Sequence, residues 1–143
     1  MNRLFSRRPQ QGFTLIEILV VVALIGLLAA FIVPNVMGQS EKARVDLAHA
    51  NMRAISTQLD MFKMHNGRYP TTEEGLRALV EKPDNARNWT TPYLNSLPED
   101  PWNNEYVYQS PGLGGRPYSL LSLGGDGQEG GEGFDADISL HDD

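Results

Sequence analysis

The chain has 143 residues, a formal net charge of −6 and no cysteine, a length that favours one domain with an appendage. Arg3, Arg7 and Arg8 are among its 12 Lys and Arg residues and precede Gly12, so the rest of the chain carries 9 basic against 18 acidic side chains. This negative charge repels phosphate backbones and argues against a nucleic-acid partner, and the lack of cysteine excludes disulfides, thiolate nucleophiles and Cys-based metal sites.

A strongly apolar segment follows the basic start of the chain. Residues 13–33 contain only two polar side chains, Thr14 and Glu17, and as a helix they would span roughly 30 Å, the thickness of a bilayer core. Basic residues before the segment and a mostly acidic chain after it place the N-terminus in the cytoplasm. The sequence therefore predicts a transmembrane helix over residues 13–35, and a secretory signal peptide cleaved after Pro34 is the alternative.

The helical pattern continues beyond Pro34 with a different character. Apolar residues recur every three or four positions, which is typical of an amphipathic helix with one buried face. We call this set the core stripe: Val45, Ala48, Met52, Ile55, Leu59 and Phe62. Asn66-Gly67 ends the pattern, so we predict one helix over residues 13–66. Because Pro34 cannot donate a hydrogen bond to the carbonyl of Ala30, we expect a kink there.

Short elements make up the rest of the chain. Thr71 and Glu74 form a capping-box pattern that predicts a short helix ending before Pro83. Residues 106–108 and 118–123 are predicted to be strands, separated by a turn rich in Gly and Pro. Two or three antiparallel strands laid across the core stripe would bury both apolar faces. The predicted fold class is therefore α+β, with a long N-terminal helix packed on a small antiparallel sheet.

Acidic residues are concentrated at the end of the chain. Residues 126–143 contain seven acids and no Lys or Arg, and oxygen ligands on a Gly-rich backbone suit calcium, which takes about 6 to 8 of them. The spacing is not that of an EF-hand, because Gly127 stands where Asp or Asn is required. A disordered acidic tail is the alternative, although Ile138 and Leu140 favour an ordered return to the core. We call residues 123–137 the acidic loop.

The sequence gives no support for a catalytic function. The three histidines, His49, His65 and His141, are isolated from one another along the chain. There is no nucleophile elbow, no Gly-rich phosphate loop and no His-x-x-x-His pair. We therefore predict that the protein is not an enzyme.

The segment Gly12-Phe13-Thr14-Leu15-Ile16-Glu17 resembles the processing site of type IV pilins and pseudopilins. In that superfamily a membrane prepilin peptidase cuts after the glycine and N-methylates the new first residue. The resemblance implies that residues 1–12 are a leader and that Phe13 becomes the methylated N-terminus. It also implies a role for Glu17, whose carboxylate would pair with the Phe13 amine of its own or a neighbouring subunit and fix the register of a filament.

The rest of the chain resembles the major pseudopilin family of the type II secretion system. The matching segments are Asn66-Gly67-Arg68-Tyr69-Pro70-Thr71-Thr72-Glu73-Glu74-Gly75-Leu76, Leu97-Pro98-Glu99-Asp100-Pro101-Trp102, Ser122-Leu123-Gly124-Gly125-Asp126-Gly127 and Asp135-Ala136-Asp137-Ile138. The resemblance implies a single-pass inner-membrane protein with residues 36–143 in the periplasm. It also implies self-association into a helical pseudopilus that helps drive export of folded proteins. Prepilin peptidase, minor pseudopilins and the inner-membrane assembly platform are the other implied partners.

In that family the last two matching segments belong to a calcium-binding loop. The resemblance therefore implies calcium as a ligand of the acidic loop, held by a mixture of side chains and backbone carbonyls. The implied ligands are Asp126, Asp135 and Asp137, with Leu123 contributing its carbonyl. The chain departs from the family at Asn103, where glycine is common, and asparagine is the residue that best tolerates a left-handed backbone there.

Two other functions are compatible with parts of this pattern. One is a type IV pilin for adhesion or motility, but those proteins usually close their C-terminal region with a disulfide, which a chain without cysteine cannot form. The other is a soluble calcium-binding module released by signal peptidase. The position of N-terminal cleavage distinguishes that module from a pseudopilin.

Overall fold

A computed structural model describes residues 12–141 of the chain, without the side chains of residues 31–37. Most of the predicted leader lies outside this range. The chain divides into two compact units, of which one ends at Gln39 and the other begins at Ser40. The predicted boundary between leader, helix and periplasmic domain stays a prediction.

Helix α1 spans Leu15–Asn66 and contains 52 residues. It ends at Asn66, as the Asn66-Gly67 pair predicted, and Gly67 adopts a left-handed conformation with φ 76°. It begins two residues later than predicted because Phe13 and Thr14 precede the first turn. The helix continues through Pro34, whose side chain lies outside the described ones, and the kink expected there stays a prediction.

The first half of α1 exposes its apolar side chains. Between Phe13 and Leu28 the large hydrophobic side chains are 46–83% exposed. Among the helices of the described residues, none is long and apolar enough to cross a membrane. The predicted span over residues 13–35 extends into the stretch whose side chains are not described, and it stays a prediction.

The second half of α1 provides one wall of the core. Five members of the core stripe, from Ala48 to Phe62, are at most 2% exposed, and Val45 packs against them at the edge. The opposite wall comes from the segments that follow the helix. Its buried members are Leu76, Ala78, Leu79, Ala86, Tyr106, Tyr108, Tyr118, Leu120 and Ile138. The predicted amphipathic character of the helix is thus confirmed.

Three short antiparallel strands form the sheet, in the order β1-β2-β3. Their bounds are Val107–Gln109 for β1, Ser119–Ser122 for β2 and Ile138–Ser139 for β3. Ile138 pairs with Ser122 and is 7% exposed, and the Leu140 N–H donates to the Leu120 carbonyl at 3.0 Å. The α+β fold is confirmed, and the chain after the acidic loop returns to the core as an ordered strand.

The segment after the helix contains the predicted capping box. The Thr71 N–H donates to Glu74 Oε2 at 2.8 Å, and the Glu74 N–H donates to Thr71 Oγ1 at 3.2 Å. The helix expected here is only a 3₁₀ helix, Leu76–Leu79, because Gly75 adopts φ 56° and separates it from the box. The guanidinium of Arg68 donates to both oxygens of Glu74 at 2.6 and 2.7 Å, and this hydrogen bonding lowers the pKa of Glu74.

Candidate functional site: the helix start and the acidic loop

Thr14 and Glu17 cap each other at the start of α1. The Thr14 N–H donates to Glu17 Oε2 at 3.4 Å, and the Glu17 N–H donates to Thr14 Oγ1 at 3.3 Å. This reciprocal pair satisfies two of the N–H groups that a helix start leaves without partners. The role predicted for Glu17 from the sequence was pairing with the Phe13 amine of its own or a neighbouring subunit, and it did not include this cap. The Thr-x-x-Glu spacing was the signal for this local role.

Gly12 and Phe13 lie immediately before this cap and are both exposed. A Cβ added to Gly12 would have no described atom within 4 Å, and the residue does not adopt a positive φ. The described structure therefore places no steric demand for glycine at this position.

The backbone of the acidic loop is closely curled. The Gly125 N–H donates to the Phe134 carbonyl at 3.2 Å, and the Asp137 N–H donates to the Gly130 carbonyl at 3.1 Å. Five glycines of the loop have φ between 65° and 99°, which side-chain-bearing residues avoid. They are Gly124, Gly127, Gly130, Gly131 and Gly133. The loop is an ordered element, and the alternative of a disordered tail is wrong.

Oxygen atoms crowd the glycines of the acidic loop. A Cβ on Gly124 would lie 2.8 Å from the Ala136 carbonyl oxygen. One on Gly125 would lie 2.9 Å from Asp135 Oδ1, and one on Gly131 would collide with the Asp135 carbonyl oxygen. The loop thus folds around closely approaching carbonyl and carboxylate oxygens, the donor type that calcium prefers.

The predicted ligands differ in how their carboxylates are used. Asp126 is exposed, and its Oδ1 accepts the Gln128 N–H at 3.0 Å. Asp137 Oδ2 accepts the Gly130 N–H at 3.0 Å, whereas its Oδ1 is buried and has no hydrogen-bond partner among the described residues. A buried carboxylate oxygen without a partner is costly, so Asp137 is the predicted ligand that would gain most from a bound cation.

The two remaining predicted ligands lie at the two ends of the loop. Asp135 is exposed and faces the backbone of Gly125, while Leu123 is half-buried between Ser122 and Gly124. No group of three Asp, Glu or His side chains among the described residues is arranged to hold a metal ion. The contribution of backbone carbonyls to a calcium site in this loop, which the family resemblance implies, stays a prediction.

Sequence reasoning missed a buried carboxylate beside the loop. Asp100 is 4% exposed. Its Oδ1 accepts the N–H groups of Trp102 and Asn104 at 3.0 and 2.8 Å, and its Oδ2 accepts the Ser122 hydroxyl at 2.6 Å. Asn103 within the same turn adopts φ 67°, as expected from its place in the family pattern. The only signal was the turn-forming sequence around Asp100, which indicates a turn but not what it contacts.

Two family models match the chain. The model of type II secretion system protein G matches residues 35–141, and the prokaryotic N-terminal methylation motif matches residues 7–33. The chain belongs to the type II secretion system protein G family. The type II secretion system core protein G of Pseudomonas aeruginosa is 51% identical over 137 residues, which cover 93% of this chain and 96% of that protein. The protein of the same description from Vibrio cholerae serotype O1 is 51% identical over 134 residues, with 92% and 91% covered.

A solved structure agrees with this family. The crystal structure of the major pseudopilin from the type 2 secretion system of enterohaemorrhagic Escherichia coli matches with a TM-score of 0.65 at 39% identity. The match covers 74% of this chain and 93% of that chain. The predicted identity as a type II secretion pseudopilin is confirmed, in preference to an adhesive type IV pilin. The processing, assembly and calcium roles of individual residues stay predictions.

Proposed function

We propose that this family member is a non-enzymatic structural subunit. Prepilin peptidase removes residues 1–12 and methylates Phe13, the first half of α1 anchors the chain in the bacterial inner membrane, and subunits polymerise into a periplasmic pseudopilus that helps export folded proteins. Minor pseudopilins and the inner-membrane assembly platform are its partners in that process. The observation that carries the proposal is the run of exposed apolar side chains on α1 directly behind the Gly12-Phe13 motif.

The exposed apolar half of α1 requires a covering environment. Contiguous apolar surface of this extent is rare on soluble monomers and marks contact with lipid or with other chains. Lipid covers it in the membrane-bound subunit, and the same helices of neighbouring subunits cover it in the filament. Assembly is then a transfer between two apolar environments, so a polar interaction is needed to specify register.

Glu17 supplies that interaction in our proposal. After cleavage the free amine of Phe13 lies four residues before Glu17, within about one helical turn. The hydrogen bond from the Thr14 N–H to Glu17 Oε2 is 3.4 Å long, longer than a typical N–H···O bond, so a charged amine competes well for the same carboxylate. Pairing with the amine of its own or a neighbouring subunit removes an uncompensated charge from an apolar environment.

The helix start offers a matched pair of variants to test this role. Glu17→Ala removes the carboxylate and with it the hydrogen bond from the Thr14 N–H, whereas Thr14→Ala removes the hydroxyl that accepts the Glu17 N–H and leaves the carboxylate in place. We expect Glu17→Ala to insert into the membrane normally and to lose filaments in a shearing assay and by electron microscopy. Thr14→Ala should retain most of them. Equal filament loss in the two variants would show that Glu17 acts only as a helix cap.

We further propose that the acidic loop binds one calcium ion. Two observations support the assignment: the buried Oδ1 of Asp137 has no hydrogen-bond partner in the described part of the chain, and oxygen atoms pack around Gly124, Gly125 and Gly131. The residues that would hold the ion are Asp126, Asp135, Asp137 and the Leu123 carbonyl. A bound divalent cation offsets the mutual repulsion of the loop's carboxylates and so stabilises its curled backbone.

A further inference from the structure

Asp100 organises a turn that lies against the acidic loop. We call residues 100–104 the Asp100 turn. Besides the three hydrogen bonds to its carboxylate, the Asp100 N–H donates to the Asn104 carbonyl at 2.8 Å and its own carbonyl accepts the Asn103 N–H at 3.0 Å. A buried carboxylate with three donors is held in one position, because moving it would leave a charge and several N–H groups without partners. The turn is therefore a rigid support.

The Asp100 turn contacts the acidic loop through two of its side chains. Asn104 Nδ2 donates to the Gly124 carbonyl at 3.2 Å. A Cβ added to Gly127 would lie 3.1 Å from Asn104 Oδ1, and one added to Gly125 would lie 3.4 Å from Trp102 Nε1. Gly124, Gly125 and Gly127 thus all lie against one turn.

Asp100 also reaches the loop through β2. The Ser122 hydroxyl donates to Asp100 Oδ2 at 2.6 Å, and the Gly124 N–H donates to Ser122 Oγ at 3.4 Å. The carbonyl of Gly124 is held by Asn104. The N–H and the carbonyl of Gly124 are therefore held by Ser122 and Asn104, which both hydrogen-bond to Asp100. Gly124 adopts φ 66° at the position where the loop leaves β2.

We propose that Asp100 and Asn104 are positioning residues for the calcium ion of the acidic loop. The inference rests on the calcium site proposed above. Glycine-rich segments lose much conformational entropy on ordering, and a support that fixes the entry of the loop lowers that cost before the cation binds. Neither side chain is a ligand. Asp100 and Asn104 orient the backbone of Gly124, which lies between the predicted ligands Leu123 and Asp126. Residues that hydrogen-bond around metal ligands act in this way.

Calcium titration of the full chain in detergent, followed by isothermal titration calorimetry, tests the proposal. Asn104→Ala removes the hydrogen bond to Gly124, and we expect its calcium Kd to rise roughly 10-fold to 100-fold, the usual effect of removing an outer partner of a metal ligand. Asn103→Gly is the matched control. It removes an exposed side chain from the same turn and keeps a residue that favours positive φ, so its Kd should equal that of the unmodified chain.

Melting curves in chelator separate positioning from general stability. Asn104→Ala should melt in chelator close to the unmodified chain, because it loses one partly exposed neutral hydrogen bond. Asp100→Ala is expected to weaken the fold as well as calcium binding, whereas Asp100→Asn retains one acceptor oxygen and an amide that can donate to Ser122, and should recover most of the affinity. This rescue would not follow if the negative charge of Asp100 attracted calcium directly.

Two results would overturn the inference, and they differ from failure of the calcium site itself. If Asn104→Ala binds calcium as tightly as the unmodified chain, the Asp100 turn does not position the loop. If Asn103→Gly weakens binding to the same extent, the effect belongs to the turn in general and not to the Asn104 contact. If the unmodified chain takes up no calcium and melts identically with and without chelator, the calcium assignment is wrong, and this inference fails with it.

Discussion

Asp137→Ala measures what calcium contributes to the stability of the fold. In chelator the substitution removes one hydrogen bond, from the Gly130 N–H to the charged Asp137 Oδ2 at 3.0 Å, worth about 1.5 kcal/mol at this exposed position. Part of that loss is offset because the buried Oδ1 without a described partner disappears with the same side chain. We therefore expect the variant and the unmodified chain to differ by at most about 1.5 kcal/mol in chelator.

Calcium should enlarge this difference. At a hundredfold excess of the ion over its Kd, the unmodified chain gains roughly 3 kcal/mol of stability by linkage. A variant that no longer binds the ion gains nothing, so the gap between the two widens by about 3 kcal/mol, or roughly 13 °C in Tm for a unit of this size. Magnesium should restore little of the gap, since it requires a tight octahedron and keeps its waters.

Thermal denaturation by circular dichroism, with calcium or with chelator, provides the comparison. Glu129→Ala and Glu132→Ala are matched controls, because each removes one negative charge from an exposed position in the same loop. Their melting temperatures in calcium should stay close to that of the unmodified chain. A control variant that loses as much stability in calcium as Asp137→Ala would show that overall loop charge, and not a ligand, is responsible.

Three further outcomes are expected. Leu59→Ala empties a fully buried position of the core stripe and should lower the free energy of unfolding by about 3 kcal/mol in a denaturant titration; a loss well under 1 kcal/mol would contradict this packing. Arg68 lowers the pKa of Glu74 below its ordinary 4.5. The stability contributed by that ion pair is therefore present above pH 4.5 and is lost as pH falls through the lowered pKa of Glu74 in the folded protein. Glu74→Gln should therefore lower the free energy of unfolding by about 1 kcal/mol near neutral pH and make it less dependent on pH in acid, which denaturant titrations at several pH values would measure. Parallel pH profiles for the variant and the unmodified chain would refute this expectation. Gly12→Leu should leave the leader attached. The intact mass of the unmodified protein from cells should equal that of a methylated chain beginning at Phe13, and a mass that corresponds to a chain beginning after Pro34 would refute the processing site.

The sequence alone determined those features that contiguous residues control. The three-to-four spacing of the core stripe predicted the buried face of α1, and Asn66-Gly67 predicted its end, because helical periodicity and capping depend on neighbours within a few positions. The register of Gly12, Phe13 and Glu17 is local in the same sense and was sufficient to indicate the superfamily. Composition likewise indicated acidic side chains on a glycine-rich backbone over residues 123–137, whereas their role as calcium ligands stays a prediction.

Only the tertiary structure decided how distant segments support that loop. Asp100 and Ser122 are 22 positions apart, and their 2.6 Å hydrogen bond follows from β2 passing beside the turn. The hydrogen bond from the Leu140 N–H to the Leu120 carbonyl also depends on the tertiary structure. It ties the segment after the acidic loop to β2, so the loop lies between two strands and is not a tail. The buried Oδ1 of Asp137 could not be foreseen either. Burial and long-range hydrogen bonding depend on which segments pack together, and no spacing within one segment encodes that choice.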